Sequence, residues 1–236
     1  MRLDHLKNPL FLALALVGLL AGRSSATEVP FTEDFDIDAA NWFDRSGFNL
    51  LDWVPAGGPD GGAYVTTIFN FVNSAPEDPV VLFRGHDEFD SSDDAFVGNW
   101  IADDVAGFSL YIRHNAPLPL TVFTRFASPF NFPGAVAIDF VPVLPNKWTP
   151  FDVGIFPDNP QFITFEGSDF ETVFSNIGNL QIGVIVPKEL AGVDVDFMFD
   201  LDKVAIIPGP GALAMVVIGV LMIRRRGRSF RTRRRR

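Results

Sequence analysis

The sequence has 236 residues, is 47% hydrophobic and contains no cysteine, which argues against disorder as the main state and excludes disulfides, thiolate metal sites and cysteine nucleophiles. The formal net charge of −10 is unevenly spread, because 9 of the 19 basic residues lie in residues 224–236, whereas residues 27–207 carry 28 acidic and 7 basic residues. A segment with a net charge of −21 repels phosphate backbones, so we expect no nucleic acid among its partners.

The N-terminal residues have the pattern of an export signal. Residues 1–8 carry Arg2 and Lys7, residues 9–20 are uncharged and apolar, and Ser24 and Ala26 place small side chains where a signal peptidase reads. The pattern predicts a helical signal peptide over residues 1–26, recognised by the export machinery and cleaved after Ala26. The alternative is an uncleaved membrane helix, but the apolar run is well short of the roughly 20 residues that span a bilayer.

Residues 27–206 show repeated period-two alternation between turns rich in Gly, Pro, Asn and Asp, and they are rich in Phe. This pattern is typical of many short antiparallel strands. It predicts an all-β fold, an antiparallel two-sheet β-sandwich of the jelly-roll kind. The alternating segments are residues 65–71, 108–113, 120–126, 135–143, 148–155 and 180–186.

The last predicted strand has the clearest alternation. One set of side chains is apolar and the other is acidic, so we expect one face in the core and one acidic face. The apolar set is Val193, Val195, Phe197, Phe199 and Leu201, and the acidic set is Asp194, Asp196, Asp200 and Asp202. The alternation loses phase at Lys203 and Val204, which predicts a β-bulge there.

The C-terminal residues predict a membrane anchor. Residues 204–223 are uncharged, and a helix over all of them would be about 30 Å long, enough for a bilayer core. The basic residues that follow would stop translocation and keep the domain outside. They are Arg224, Arg225, Arg226 and Arg228.

Residues 207–236 resemble the PEP-CTERM sorting signal. They combine a proline motif over residues 207–211, with Pro208, Gly209 and Pro210 at its centre, a hydrophobic span over residues 211–223 and an arginine-rich tail over residues 224–236. The resemblance implies processing by an exosortase-like membrane protease and transfer to the cell envelope or extracellular matrix. Gly209 stands where that family usually has glutamate. An ordinary single-pass anchor with a basic stop is the alternative.

Several segments of the central domain resemble the galactose-binding-like and carbohydrate-binding-module jelly rolls. They are residues 31–35 (FTEDF), 98–100 (GNW), 108–113 (FSLYIR), 176–184 (NIGNLQIGV) and 199–204 (FDLDKV). The resemblance implies a structural calcium ion between the first and last strands, at Glu33 or Asp34 and Asp202. Carboxylates are the hard oxygen ligands that calcium prefers. The alternative for these residues is a solvated acidic face.

Four aromatic residues are candidates for stacking on sugar rings: Trp53, Tyr64, Tyr111 and Trp148. The alternative for each of them is burial in the core. The motifs of serine hydrolases, zinc proteases, P-loop proteins and dinucleotide-binding proteins are absent from the sequence.

The sequence therefore predicts an envelope-anchored surface or matrix protein, and not an enzyme, whose domain binds carbohydrate or another extracellular polymer or has a structural role. Two alternatives stay open. One is a secreted polysaccharide hydrolase that uses paired carboxylates. The other is a single-pass anchored adhesion protein, which would need an exposed apolar patch.

Overall fold

The computed structural model describes residues 27–210, which form twelve β-strands, one short α-helix and two 3₁₀ turns. The elements are β1 (Phe31–Glu33), β2 (Phe43–Asp44), β3 (Asp52–Val54), β4 (Tyr64–Asn70), β5 (Pro79–His86), β6 (Val105–His114), β7 (Thr121–Ala127), β8 (Gly134–Ile138), β9 (Thr149–Gly154), β10 (Phe162–Thr164), α1 (Phe170–Phe174), β11 (Asn179–Ile185) and β12 (Asp196–Pro208), with 3₁₀ turns at Asp87–Phe89 and Ser91–Asp94.

The strands form two six-stranded sheets in which all pairs are antiparallel. In the first sheet the order is β3-β4-β12-β6-β9, and β1 pairs with the second half of β12. In the second sheet the order is β10-β8-β7-β11-β5-β2. This arrangement confirms the predicted all-β, two-sheet, jelly-roll β-sandwich.

The core lies between the sheets and is rich in aromatic rings. Trp100 is fully buried and packs against Phe108, Phe126 and Phe174 at ring-centroid distances of 5.5–6.2 Å. Its indole N–H donates to the carbonyl oxygen of Phe96 (2.8 Å), so the ring is buried without losing its hydrogen bond. The predicted alternation in β6 and β11 is confirmed, since Leu110 and Ile182 face this core.

The prediction for β12 is right about the bulge and wrong about the start of the strand, and two of its acidic side chains are buried. The register shifts between Asp202 and Ala205, and Lys203 has a positive φ of 51°. The strand starts at Asp196, because a turn in which Val193 N–H donates to Leu190 O precedes it, and Val195 is exposed. Asp200 and Asp202 are each only 1% exposed.

The prediction of a helix over residues 204–223 is wrong for its first part, because β12 continues to Pro208 and residues 204–206 pair with β1. Beyond the strand, Gly209 is buried and its N–H donates to the carbonyl oxygen of Asp104 (2.6 Å). A Cβ at Gly209 would lie 2.5 Å from a carboxylate oxygen of Asp104. The proline motif therefore begins inside the folded domain.

Three predictions for the two ends of the chain lie outside the described residues. They are the signal peptide with Ser24 and Ala26, the hydrophobic span over residues 211–223, and the stop at Arg224, Arg225, Arg226 and Arg228. None of the helices within residues 27–210 is long and apolar enough to cross a membrane.

Candidate functional site

The outer face of the second sheet carries a row of polar side chains. Arg84 on β5, Gln181 on β11 and Arg125 on β7 are register partners across three adjacent strands. The neighbouring row, which includes Ile182 and Phe83, faces the core. Because side chains alternate across a strand, the polar row must face away from the core.

Arg125 fixes the loop between β7 and β8 to this face. Its guanidinium makes two hydrogen bonds to the Glu166 carboxylate (2.6 and 2.7 Å) and lowers the pKa of that carboxyl. It also donates to the side-chain and main-chain oxygens of Asn131 (2.8 and 2.6 Å), and Gln181 donates to the same side-chain oxygen (2.7 Å). Bidentate, charge-assisted bonds of this kind are strong, so the loop has a defined position before any ligand arrives.

A second loop is fixed at the other edge of the sheet, next to β2. The Asp44 carboxylate accepts hydrogen bonds from Ser46 N–H and Asn49 Nδ2, both 2.9 Å long. Burial tends to raise the pKa of Asp44, but these hydrogen bonds outweigh it and the pKa is lowered. Gly47 has a φ of 73°, a conformation that glycine adopts without strain.

Between the two loops lies a groove of about 650 Å³. Two phenylalanine side chains at its rim are almost fully exposed, Phe48 (87%) and Phe130 (91%). Inside it, the rings of His86 and Phe89 are parallel with centroids 5.0 Å apart. The remaining lining residues are Ser46, Gly47, Arg84, Glu88, Pro129, Asn131 and Asn179. Exposed rings beside fixed polar groups are the usual composition of a ligand site.

The charged groups of the groove are few. Arg84 Nε donates to the carbonyl oxygen of Arg45 (2.8 Å). Burial lowers the pKa of Arg84, and the nearby charges of Arg125 and Arg45 lower it further. Burial also lowers the pKa of His86, whose Nδ1 is 3.5 Å from a Glu88 carboxylate oxygen, so the imidazole is neutral at pH 7.

The aromatic residues predicted from the sequence lie on the first sheet or directly before one of its strands, and none of them lines this groove. Tyr64 and Trp148 come together at 5.4 Å around Arg113, whose Cζ lies 5.1 and 4.5 Å from their ring centroids. Arg113 in turn bonds to Asp200 (2.7 Å). The guanidinium covers one face of each ring, which is a stabilising cation–π contact.

The other two predicted aromatics do not join that cluster. Trp53 Nε1 donates to the carbonyl oxygen of Phe35 (2.6 Å), and Tyr111 is the register partner of Asp202 on β12. Sugar stacking by the four aromatics stays a prediction.

Two of the three predicted calcium residues, Asp34 and Asp202, contact Lys203. Lys203 Nζ lies 3.0 Å from Asp34 and 2.8 Å from Asp60, and Asp202 accepts a hydrogen bond from Lys203 N–H (2.7 Å). Glu33 accepts from Phe35 N–H (2.8 Å). Among the described residues, no group of three or more His, Asp or Glu side chains is arranged to hold a metal ion. Asp34 is therefore a partner of the Lys203 ammonium group, whereas Glu33 and Asp202 accept from main-chain N–H groups, and calcium binding stays a prediction.

A second groove, of about 470 Å³, is strongly acidic. Burial raises the pKa of Glu33 within it, and hydrogen bonds from Phe35 and Ser92 offset this in part. The carboxylates in its lining are Glu28, Glu33, Asp34, Asp36, Asp38, Asp90 and Asp93.

Sequence reasoning missed the groove on the second sheet. Arg84, Gln181 and Arg125 each interrupt an apolar strand, which is a detectable signal. The sequence does not say that their three strands are neighbours, and Phe48 and Phe130 lie in loops without a motif.

No protein-family model matches the chain, and no curated protein matches it. The chain is similar in structure to several solved proteins. A family 11 carbohydrate-binding module of Clostridium thermocellum is 12% identical, with a TM-score of 0.41 over 78% of this chain and 97% of that one. The cleaved adhesin domain of Lys-gingipain from Porphyromonas gingivalis is 12% identical, with a TM-score of 0.42 over 76% and 98%.

A larger protein is also similar. The N-terminal endo-1,4-β-D-xylanase 10B of Clostridium thermocellum, complexed with xylohexaose, is 17% identical, with a TM-score of 0.45 over 77% of this chain. The chain spans 29% of that xylanase and 26% of a similar exo-β-agarase chain. Residues 27–210 thus form a jelly-roll β-sandwich that has a groove lined by aromatic and polar side chains on one outer face.

Proposed function

We propose that the protein binds polysaccharide without catalysing a reaction, and that the groove between Phe48 and Phe130 is the binding site. The observation that carries the proposal is two exposed rings held on fixed loops beside Arg84 and Asn131. A sugar ring has an apolar face that can stack on an aromatic side chain and a rim of hydroxyls that can bond to polar groups. Because Arg125 and Asp44 already fix the loops, little ordering entropy is lost on binding.

We further propose that the protein is exported and held at the cell envelope or in an extracellular matrix. The support is the pattern of its ends: a signal-like segment over residues 1–26 and a PEP-CTERM-like segment over residues 207–236. An exosortase-like protease is the proposed processing partner, and an ordinary single-pass anchor is the alternative.

The polysaccharide proposal is tested by affinity electrophoresis through gels that contain a panel of neutral and acidic polysaccharides. At least one should retard the protein, and Phe48→Ala and Phe130→Ala should each weaken binding about 2- to 12-fold, since a ring contact contributes about 0.5–1.5 kcal/mol. Phe140→Ala is the control, because Phe140 is also exposed but does not line the groove. Absence of retardation by every polysaccharide, or an equal loss in the control, would refute the proposal.

A polysaccharide hydrolase is the second candidate, and the acidic groove is the observation that favours it. A general acid must hold its proton near neutral pH, and burial raises the pKa of Glu33. The mechanism also requires a second carboxylate at about 5–10 Å. Incubating the same panel with the protein separates the two functions. Release of reducing ends supports the hydrolase, and binding without release supports non-catalytic binding in the groove between Phe48 and Phe130.

A further inference from the structure

The distribution of basic side chains in the domain is uneven. Residues 27–207 contain only seven basic residues, and three of them are Arg45, Arg84 and Arg125. Arg84 and Arg125 lie in one row of the second sheet, on either side of Gln181, and Arg84 bonds to the main chain of Arg45. The scarce positive charge of a very acidic domain is thus concentrated beside the groove.

Of these three arginines, Arg84 is the one available to a ligand inside the groove. Arg125 is neutralised by Glu166, and Arg45 lies 5.1 Å from the ring centroid of Phe69. Arg84 lines the groove and uses only Nε for its bond to Arg45. Among residues 27–210, no carboxylate forms an ion pair with Arg84, and its two Nη atoms have no hydrogen-bond partner.

The nearby acidic groups do not cancel this charge. Asp44 is held by Ser46 and Asn49, and the side chain of Glu88 is 67% exposed and lies next to His86. The influence of Arg125 and Arg45 on Arg84 exceeds that of Asp44 and Glu88. A half-buried guanidinium repelled by two others is stabilised by an anion placed against it.

We infer that the groove selects acidic polysaccharides, and that the Arg84 Nη atoms bind the carboxylate of a uronic acid residue whose ring stacks on Phe48 or Phe130. The inference rests on the proposed polysaccharide-binding function. A planar carboxylate matches the two parallel donors of a guanidinium. The rest of the domain repels such a polymer, so binding is confined to this groove.

The test compares polygalacturonate with its fully methyl-esterified form, which has the same sugar without the charge. Titrations of the full chain at about 0.15 M salt should show at least tenfold tighter binding of polygalacturonate, the size expected for a hydrogen bond between charged groups. Arg84→Gln should remove this preference and keep the weaker binding of the ester. Arg84→Lys should keep part of it, and Lys188→Gln, at an exposed lysine outside the groove, should change nothing.

The outcomes separate this inference from the function on which it rests. Binding of the ester or of a neutral glucan without a preference for polygalacturonate overturns the inference and leaves polysaccharide binding intact. No binding of any polysaccharide overturns both. Polyaspartate or dextran sulfate binding as tightly as polygalacturonate, or an unchanged preference in a folded Arg84→Gln variant, overturns the selection of uronic acids.

Discussion

Asp202 shows how burial changes the chemistry of one residue. Its side chain is 1% exposed, and burial raises its pKa to about 7, with the neighbouring charges of Asp34 and Asp60 adding to the effect of burial. A carboxyl whose pKa is higher in the folded than in the unfolded state favours folding in its protonated form. The favourable contribution of Asp202 to the free energy of unfolding is complete below about pH 4 and is lost as the pH rises through 7.

We therefore expect Asp202→Asn to stabilise the protein at pH 8 by on the order of 1–2 kcal/mol and to have little effect at pH 4, because the amide mimics the protonated acid. Urea denaturation at both pH values measures the difference from the wild type. Asp158→Asn is the matched control at an exposed position. An equal effect of Asp202→Asn at both pH values would contradict the raised pKa.

At the scale of the element, β12 is the central strand of the first sheet, and two strands pair in turn along one of its edges. Before the bulge it pairs with β4, and after the bulge it pairs with β1. The left-handed conformation of Lys203 directs its ammonium group to Asp34 and Asp60 from two different loops. The bulge therefore coincides with the point where an ionic contact joins the first and last strands.

Replacing Lys203 by Met keeps the stem of the side chain and removes the charge. We expect the Tm to fall by about 2–4 °C, and the loss to shrink at high salt because the contact is partly exposed. Lys188→Met is the control. Repeating both melts with added calcium tests the predicted site at Glu33, Asp34 and Asp202, since a bound ion raises the Tm of the form that binds it.

The strands were predictable where alternation is unbroken, as in β6, in β11 and in the part of β12 before its bulge. The strand β5 was not, because the register between β11 and β5 shifts at Ile182 and Gly183 and two consecutive residues, Leu82 and Phe83, are buried. The groove was not predictable either, since it depends on which strands are neighbours. Asp202 alternates like a solvent-facing residue, and only the packing of distant segments buries it.

For the whole molecule, the main prediction concerns the fate of the basic tail that follows the acidic domain. We proposed that residues 207–236 are cut at the proline motif, with retention as an anchor as the alternative, and intact-mass analysis of protein recovered from its native envelope distinguishes the two. If the PEP-CTERM proposal is right, the measured mass will correspond to a C-terminus between Pro208 and Gly211. A mass that includes the full arginine tail would establish simple anchoring, and a retained signal peptide in a cytosolic protein would contradict export.

The attachment of Gly209 to Asp104 has a consequence for that cleavage. A protease needs an extended, accessible substrate, but this stretch of main chain follows directly on a paired strand and is itself hydrogen-bonded. Cutting would have to await fraying of the last few pairs, so its rate should follow the local opening equilibrium. The rate of release from the membrane would then report on the stability of the fold. Chains with a loosely packed domain would be cleaved faster than chains with a well-packed one.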